Sequence, residues 1–272
     1  MASVPVQRQL HELGIPPLKR FGQHFLVNQK VRHTLVDLAE LSTADTVVEV
    51  GAGLGFLTEE LASRAGSVIA IEKDRTLAKH LAKKFTTNSK VHVVQGDALT
   101  TSIPTNAKIV SSPPYNISSR LVFHIISSEY KLASLLLQED FVRRLTASSG
   151  SRDYGRITVM LQTRNRAEYA SHVASSSFYP QPRVDSAIVK IEPEPEILVA
   201  HDQRAFEDLV RALFTQRRRK VRGVLRRYLA ANYNRKKDEI LSQVNLEDKR
   251  VYELSPIEFI RLANLVADSI KP

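Results

Sequence analysis

The stretch TVVEVGAGLGFLTEEL, residues 46–61, decides the fold. Its first five residues are β-branched but for Glu49 and almost continuously apolar, the pattern of a strand covered on both faces. Gly51, Gly53 and Gly55 follow at alternate positions. Glycines there permit a tight turn and close backbone approach to a ligand at a helix N-terminus. In the helical pattern beyond, Leu57 and Leu61 share a face and Gly66 stands just past the expected end.

Working outward, further strand candidates are SVIAIE (67–72), VHVVQ (91–95), KIVS (108–111), LASLLLQ (132–138), ITVMLQ (157–162) and SAIVKIE (186–192). Amphipathic segments separate them. This alternation predicts an α/β fold with a doubly wound, mainly parallel sheet of seven strands. EPEPEILVAHD (192–202), with two prolines and four acids, breaks the pattern. Beyond it, Phe206, Leu209, Val210, Leu213 and Phe214 mark one face of a helix that Asp202 can cap. LSPIEF (254–259) carries strong helix-start signals: Ser255 as cap, Pro256 at the first position and Glu258 completing a capping box. The expected division is an N-terminal arm (1–19), a Rossmann-like domain (20–192), a linker (193–202) and a small all-helical domain (203–272).

Composition narrows the functional classes. The chain has 272 residues, 43% of them hydrophobic and 25% charged, as in an ordinary globular protein. It has no cysteine, which excludes disulfides, thiolate metal sites and cysteine nucleophiles. No residue cluster suggests a metal. No apolar run approaches the roughly 20 residues of a membrane helix, and the first residues lack the apolar core of a signal peptide. A soluble, cytoplasmic protein is expected. The net charge of +10 favours a polyanionic partner.

The glycine loop reads G-x-G-x-G, preceded by Glu49. A dinucleotide fingerprint would need a third glycine at Phe56. The loop therefore suits a nucleoside cofactor without a pyrophosphate, and S-adenosylmethionine fits. Glu72 and Asp97 each follow a strand, at the edge where such sheets bind ligands. Glu72 can accept from both ribose hydroxyls. Asp97 can accept from the adenine amino group, with the Ala98 amide reaching the ring. Singly, each is better explained as a solvated loop carboxylate; in series with the glycine loop they read as one site.

SSPPY (111–115) ends the fourth strand in a rigid turn, because Pro113 and Pro114 fix φ and remove two donors. The run Ser112-Pro113-Pro114-Tyr115 matches the D/N/S-P-P-Y/F/W pattern of enzymes that methylate exocyclic amino groups of nucleic-acid bases. Adenine N6 is a poor nucleophile because its lone pair is delocalised into the ring. Acceptors at the Ser112 hydroxyl and the Pro113 carbonyl would favour a pyramidal amine. Tyr115 would stack on the extruded base. Phe178, before Pro180 and Pro182, is a candidate opposite wall, although composition alone favours a core role for it.

Arg217, Arg218, Arg219, Lys220, Arg222, Arg226 and Arg227 form a dense basic segment, with Arg211 just upstream. Read as a helix, it would present arginines for bidentate phosphate contact. The N-terminal arm offers a weaker basic contact.

These segments resemble, in order and along nearly the whole chain, the KsgA family of small-subunit ribosomal RNA adenine dimethyltransferases. The matching stretches include KRFGQHFL (19–26), EVGAGLGFLTEEL (49–61), IEKD (71–74), GDAL (96–99), SPPYNISS (112–119), FYPQPRVDSA (178–187) and FTQRRRKVRGVL (214–225). The erythromycin-resistance methylases and mitochondrial transcription factor B proteins are relatives. The resemblance implies that Gln23, His24 and Leu26 close over S-adenosylmethionine with Glu49, Gly51, Gly53, Glu72, Lys73, Asp97, Ala98 and Ser112. It implies that Tyr115 and Phe178 hold the base. The implied reaction is N6-dimethylation of two adjacent adenosines near the 3′ end of small-subunit rRNA, during subunit assembly. The partner is then a ribosomal subunit or its precursor, and a monomer is expected. One departure stands out: the family's usual Asn-Leu-Pro-Tyr reads Ser-Pro-Pro-Tyr here. An assembly or transcription factor with a weakened methylase site is therefore the alternative. A DNA adenine methyltransferase is disfavoured by the helical domain, and a nicotinamide dehydrogenase by the glycine spacing.

Overall fold

The computed structural model describes residues 3–14, 23–194, 199–246 and 248–270. Two compact units result: residues up to Val142 with Ala167–Pro193, and Arg143–Arg166 with Glu194 onward. This differs from the linear division at residue 203. The residues 143–166 belong with the helices, and of the expected linker, 195–198 lie outside the described residues.

The first unit is built on a seven-stranded sheet. Its strands are β2 (Thr46–Val50), β3 (Ser67–Glu72), β4 (Val91–Gln95), β5 (Ala107–Ser111), β6 (Tyr130–Gln138), β7 (Asn165–Val173) and β9 (Ser186–Pro193). Their order across the sheet is β4-β3-β2-β5-β6-β9-β7. The pairs β2–β3, β2–β5, β3–β4 and β5–β6 are parallel, and β9 runs antiparallel to β6. Strand order therefore reverses between β2 and β5, and the carboxyl ends of these strands flank the crevice where such sheets take ligands. A two-stranded antiparallel ribbon, β1 (Phe25–Leu26) with β8 (Phe178–Tyr179), pairs Leu26 with Phe178.

The central strands are apolar because both faces are covered. Val47, Val48, Val50, Ile109, Val110, Leu135, Leu136 and Leu137 are all buried. The helices α2 (Gln29–Asp37), α3 (Phe56–Arg64), α4 (Arg75–Lys84) and α5 (Ser118–Ile126) supply the cover, and a short α6 (Glu139–Leu145) leads out of β6. Asn28 and Asp74 cap α2 and α4 by accepting two backbone N–H groups each. Part of the expected N-terminal arm is ordered as α1 (Ser3–Glu12), whose Val6 and Leu10 pack with Val27, Leu54 and Leu77. Residues 1–2 and 15–19 of that arm lie outside the described residues.

ITVMLQ is not a strand. It is the helix α7 (Arg156–Gln162), with Thr158, Val159, Met160 and Leu161 all buried. A short apolar run buried on every side reads alike in either conformation. The seventh strand is instead β7, NRAEYASHV, whose charged residues suit its place at the sheet edge.

The second unit comprises α7 with α8 (Gln203–Phe214), α9 (Val221–Asn232), α10 (Lys237–Ser242) and α11 (Pro256–Ile270). Asp202 caps α8 by accepting the Ala205 N–H at 3.0 Å. Ser255 and Glu258 form the expected reciprocal box at the start of α11, at 2.8 and 3.3 Å. Phe214 stacks on Phe259 at 5.4 Å and meets Tyr154 at 6.1 Å. The Tyr154 hydroxyl donates to the Leu254 carbonyl at 2.8 Å.

Candidate active site

The crevice at the β2/β5 reversal is a cavity of about 290 Å³. Its wall includes Gln23, His24, Leu26, Glu49, Gly51, Gly53, Glu72, Lys73, Asp97, Ala98, Ser112, Pro113 and Tyr115. Every cofactor residue expected from the sequence is thus brought together here. Phe25, Arg32, Phe56, Asp74, Leu77 and Arg120 line it as well, beyond the expected set. Phe25, Phe56 and Asp74 fall within the stretches KRFGQHFL, EVGAGLGFLTEEL and IEKD, whereas Arg32, Leu77 and Arg120 lie on α2, α4 and α5, where no local signal in the sequence marks them.

Gly51 and Gly53 adopt φ of +73° and +58°. A Cβ on Gly51 would stand 3.1 Å from Pro114, and one on Gly53 3.2 Å from Phe25. The glycine loop therefore abuts the proline turn with no space for side chains. Glu72 accepts the Gly53 N–H at 2.9 Å and the Asp74 N–H at 2.8 Å, one at each carboxylate oxygen. It fixes the loop before any ligand arrives, and its remaining lone pairs are what it can offer to ribose hydroxyls. Burial pushes the Glu72 carboxyl above its usual range, against the pull of those amide donors.

Glu49 lies beneath the loop, 2% exposed, and accepts from Thr58 Oγ1 at 2.6 Å. Burial pushes its carboxyl up to about 8. Asp97 behaves oppositely: the Lys73 ammonium, 2.9 Å away, holds it below the ordinary carboxylate range. The donor set fits S-adenosylmethionine, with acidic acceptors for hydroxyls and an amino group and a glycine cradle for close backbone approach.

On the reacting side, β5 ends at Ser111, whose hydroxyl donates to the Val50 carbonyl at 2.7 Å and ties the turn to β2. Ser112 and Pro113 follow at the cavity wall, then Tyr115 opens a single 3-10 turn. The Tyr115 hydroxyl shares a 2.6 Å hydrogen bond with Ser186 Oγ, and burial raises its pKa, so the phenol stays neutral. His24 stacks on the Tyr115 ring at 5.6 Å and 26°. Its Nδ1 lies 2.6 Å from the Pro180 carbonyl, an acceptor, so Nδ1 carries the proton.

Phe178 departs from the expected opposite wall. It is 4% exposed, sits in the core cluster with Leu26 and Ile188, and meets Tyr115 edge-on at 6.4 Å. Pairing of Leu26 with Phe178 in the short ribbon draws the ring inward. Among the described residues, the ring stacked on Tyr115 is His24, and Phe178 meets it only by an edge.

In the helical unit the basic segment is not one helix. Residues 215–220 form a turn between α8 and α9. Arg218, Arg219, Lys220, Arg226 and Arg227 are exposed, and Arg222 is half-buried. Arg217 turns inward: it donates to the Ser151 carbonyl at 3.2 Å and lies 5.5 Å from the Tyr252 ring centroid. Arg219, Lys220, Gly223 and Arg227 line a shallow cavity. No metal was expected. Among the described residues, Glu139, His172 and Asp185 do bring ligand-type atoms within 4.8 Å. Hydrogen bonds from His172 to Glu139 (3.0 Å) and from Ser175 N–H to Asp185 (2.8 Å) give that group a structural account.

Comparison with known proteins agrees with this geometry. A dimethyladenosine transferase from Plasmodium falciparum superposes with a TM-score of 0.82 at 26% identity, over 90% of this chain and 98% of that one. The 23S rRNA methyltransferase ErmE superposes at 0.68 with 30% identity, over 89% and 99%. A probable ribosomal RNA small subunit methyltransferase A from Pyrococcus abyssi is 39% identical over 252 residues, 92% of this chain and 91% of its own length. The corresponding protein of Methanosarcina mazei is 37% identical over 250 residues, 91% and 92% of the two chains. The family profile described as "Ribosomal RNA adenine dimethylase" matches residues 18–268. Fold, cavity and relatives converge, and the chain belongs to the ribosomal RNA adenine dimethylase family.

Proposed function

We propose that the protein dimethylates N6 of two adjacent adenosines near the 3′ end of small-subunit rRNA, acting in the cytoplasm as a monomer on an assembling ribosomal subunit. The observation that carries this reading is the opening of Ser112, Pro113 and Tyr115 into the same cavity as Glu72 and Asp97. Bound S-adenosylmethionine supplies an electrophilic methyl group on a sulfonium. The chain's own residues do the rest. Glu72 and Asp97 accept from the nucleoside end. Ser112 and the Pro113 carbonyl accept from the target amine and turn its lone pair out of conjugation. Tyr115, held by Ser186 and backed by Phe178, offers its ring to the extruded base. No side chain has to remove a proton before transfer, so catalysis is largely positioning. Arg218, Arg219, Lys220, Arg226 and Arg227, with Arg222, are assigned to the RNA backbone.

The test is transfer of labelled methyl from S-adenosylmethionine to small subunits lacking the modification, read by nucleoside mass analysis. Wild type is expected to form dimethyladenosine, and Tyr115→Ala to lose at least roughly 100-fold in rate, on the order of the 1–3 kcal/mol of a base stack plus lost positioning. A silent wild type beside an active Ser112→Asn variant would overturn the proposal in favour of an RNA-binding assembly factor.

A further inference from the structure

Arg32 enters the cofactor cavity from α2, beside Phe25, Leu26 and Phe56. Its guanidinium lies 5.5 Å from the Phe56 ring centroid, and one of its N–H groups donates to the Leu26 carbonyl at 3.2 Å. That leaves a half-buried cation with most of its donors open. The acids that act on it electrostatically are Glu59 and Glu60. Both are taken elsewhere: Glu59 pairs with Lys84 at 3.1 Å, and Glu60 bonds His33 and lies 3.5 Å from Arg64. Among the described residues no carboxylate comes within ion-pair distance of Arg32, and burial lowers its pKa. The other cations of the wall serve the opposite function. Lys73 pairs with Asp97, and Arg120 acts electrostatically on the same carboxylate.

A partly desolvated arginine without an acid lacks a counter-charge, and its planar fork matches a carboxylate bidentately. S-adenosylmethionine carries one carboxylate, on its methionine end. We propose that Arg32 binds that carboxylate and makes the cavity select for ligands that carry it. This rests on the cofactor assignment above. The Glu49, Glu72 and Asp97 acids cannot fill the role, because each would repel the carboxylate. Arg32 is thus a specificity residue for the cofactor, supplied by α2 rather than by the glycine loop.

The experiment measures binding of S-adenosylmethionine and of decarboxylated S-adenosylmethionine by calorimetry, to wild type, Arg32→Leu and Arg32→Lys. Loss of a charge-assisted hydrogen-bonded pair is expected to weaken S-adenosylmethionine by on the order of 10- to 100-fold in Arg32→Leu. The decarboxylated ligand should bind wild type and Arg32→Leu within about twofold of one another. Arg32→Lys, which keeps the charge and loses the fork, should fall between. Equal weakening of both ligands would overturn the proposal and leave Arg32 a structural stay for Leu26 and Phe56; so would weakening of neither. A wild type that binds neither ligand would instead overturn the cofactor assignment beneath it. Should Arg32→Leu fail to fold, the ligand pair measured on wild type and Arg32→Lys carries the same contrast.

Discussion

Glu49 and Thr58 form a buried pair under the glycine loop, and that pair makes stability depend on pH. The Glu49 carboxyl rises from 4.5 to about 8 on folding because burial penalises its charge. The folded chain therefore binds more protons than the unfolded chain between these values. Its contribution to stability is greatest below about 4.5 and is lost as pH rises toward about 8. Glu49→Gln removes the titrating group and keeps an acceptor for Thr58. In thermal unfolding without cofactor, wild type is expected to lose ground to Glu49→Gln steadily from about pH 5 to about pH 8; a constant difference would refute the assignment. The position of Glu49 before the glycines was legible in the sequence, as were Glu72, Asp97 and the proline turn, because each sits where a strand must end. Its depth was not, since burial depends on α3 closing over it. Gly66 shows the same limit. It reads as a helix C-cap, yet its φ is not left-handed; a Cβ there would stand 2.1 Å from the Thr43 carbonyl oxygen. Close approach, a tertiary fact, requires the glycine.

At the level of elements, local chemistry was readable wherever it was self-contained. The Ser255–Glu258 box and the Asp202 cap need only three or four neighbouring residues, and both form. Ser255→Ala removes the acceptor for the Glu258 N–H and is expected to cost about 1 kcal/mol, measured by chemical denaturation. A variant that loses less than a few tenths would show that α11 is held by packing alone. α7 could not be read this way. Its period is masked because consecutive residues are all buried, and only the helices around it distinguish it from a strand. β7 fails in the converse sense: an edge strand has one neighbour and tolerates Arg166 and Glu168 at exposed positions. The basic segment was legible as basic but not as a turn, because Arg217 is recruited by Ser151 and Tyr252, far away in sequence.

Across the whole molecule, the excess of 39 basic over 29 acidic side chains predicts RNA affinity that falls steeply with salt. Arg218→Ala and Arg219→Ala should each reduce the slope of log affinity against log salt by roughly 0.7–0.9, the share of one neutralised phosphate. Arg217→Ala should leave the slope alone and lower the unfolding temperature, as its partners are internal. Equal slopes in all three variants would remove the turn from the RNA surface. The composition forecast a polyanionic partner, and strand–helix alternation forecast the sheet. The division into units was hidden, because nothing in the residues 143–166 announces that they pack with a segment far later in the chain. The Tyr154–Leu254 hydrogen bond, 100 residues apart, makes that separation concrete. During synthesis at roughly 5–20 residues per second, Tyr154 emerges some 5–20 seconds before the carbonyl it bonds. Through that interval α7 has an apolar surface and no lid. The nascent chain is then a target for chaperones and proteases at a segment whose Thr158–Leu161 face is interior in the finished protein.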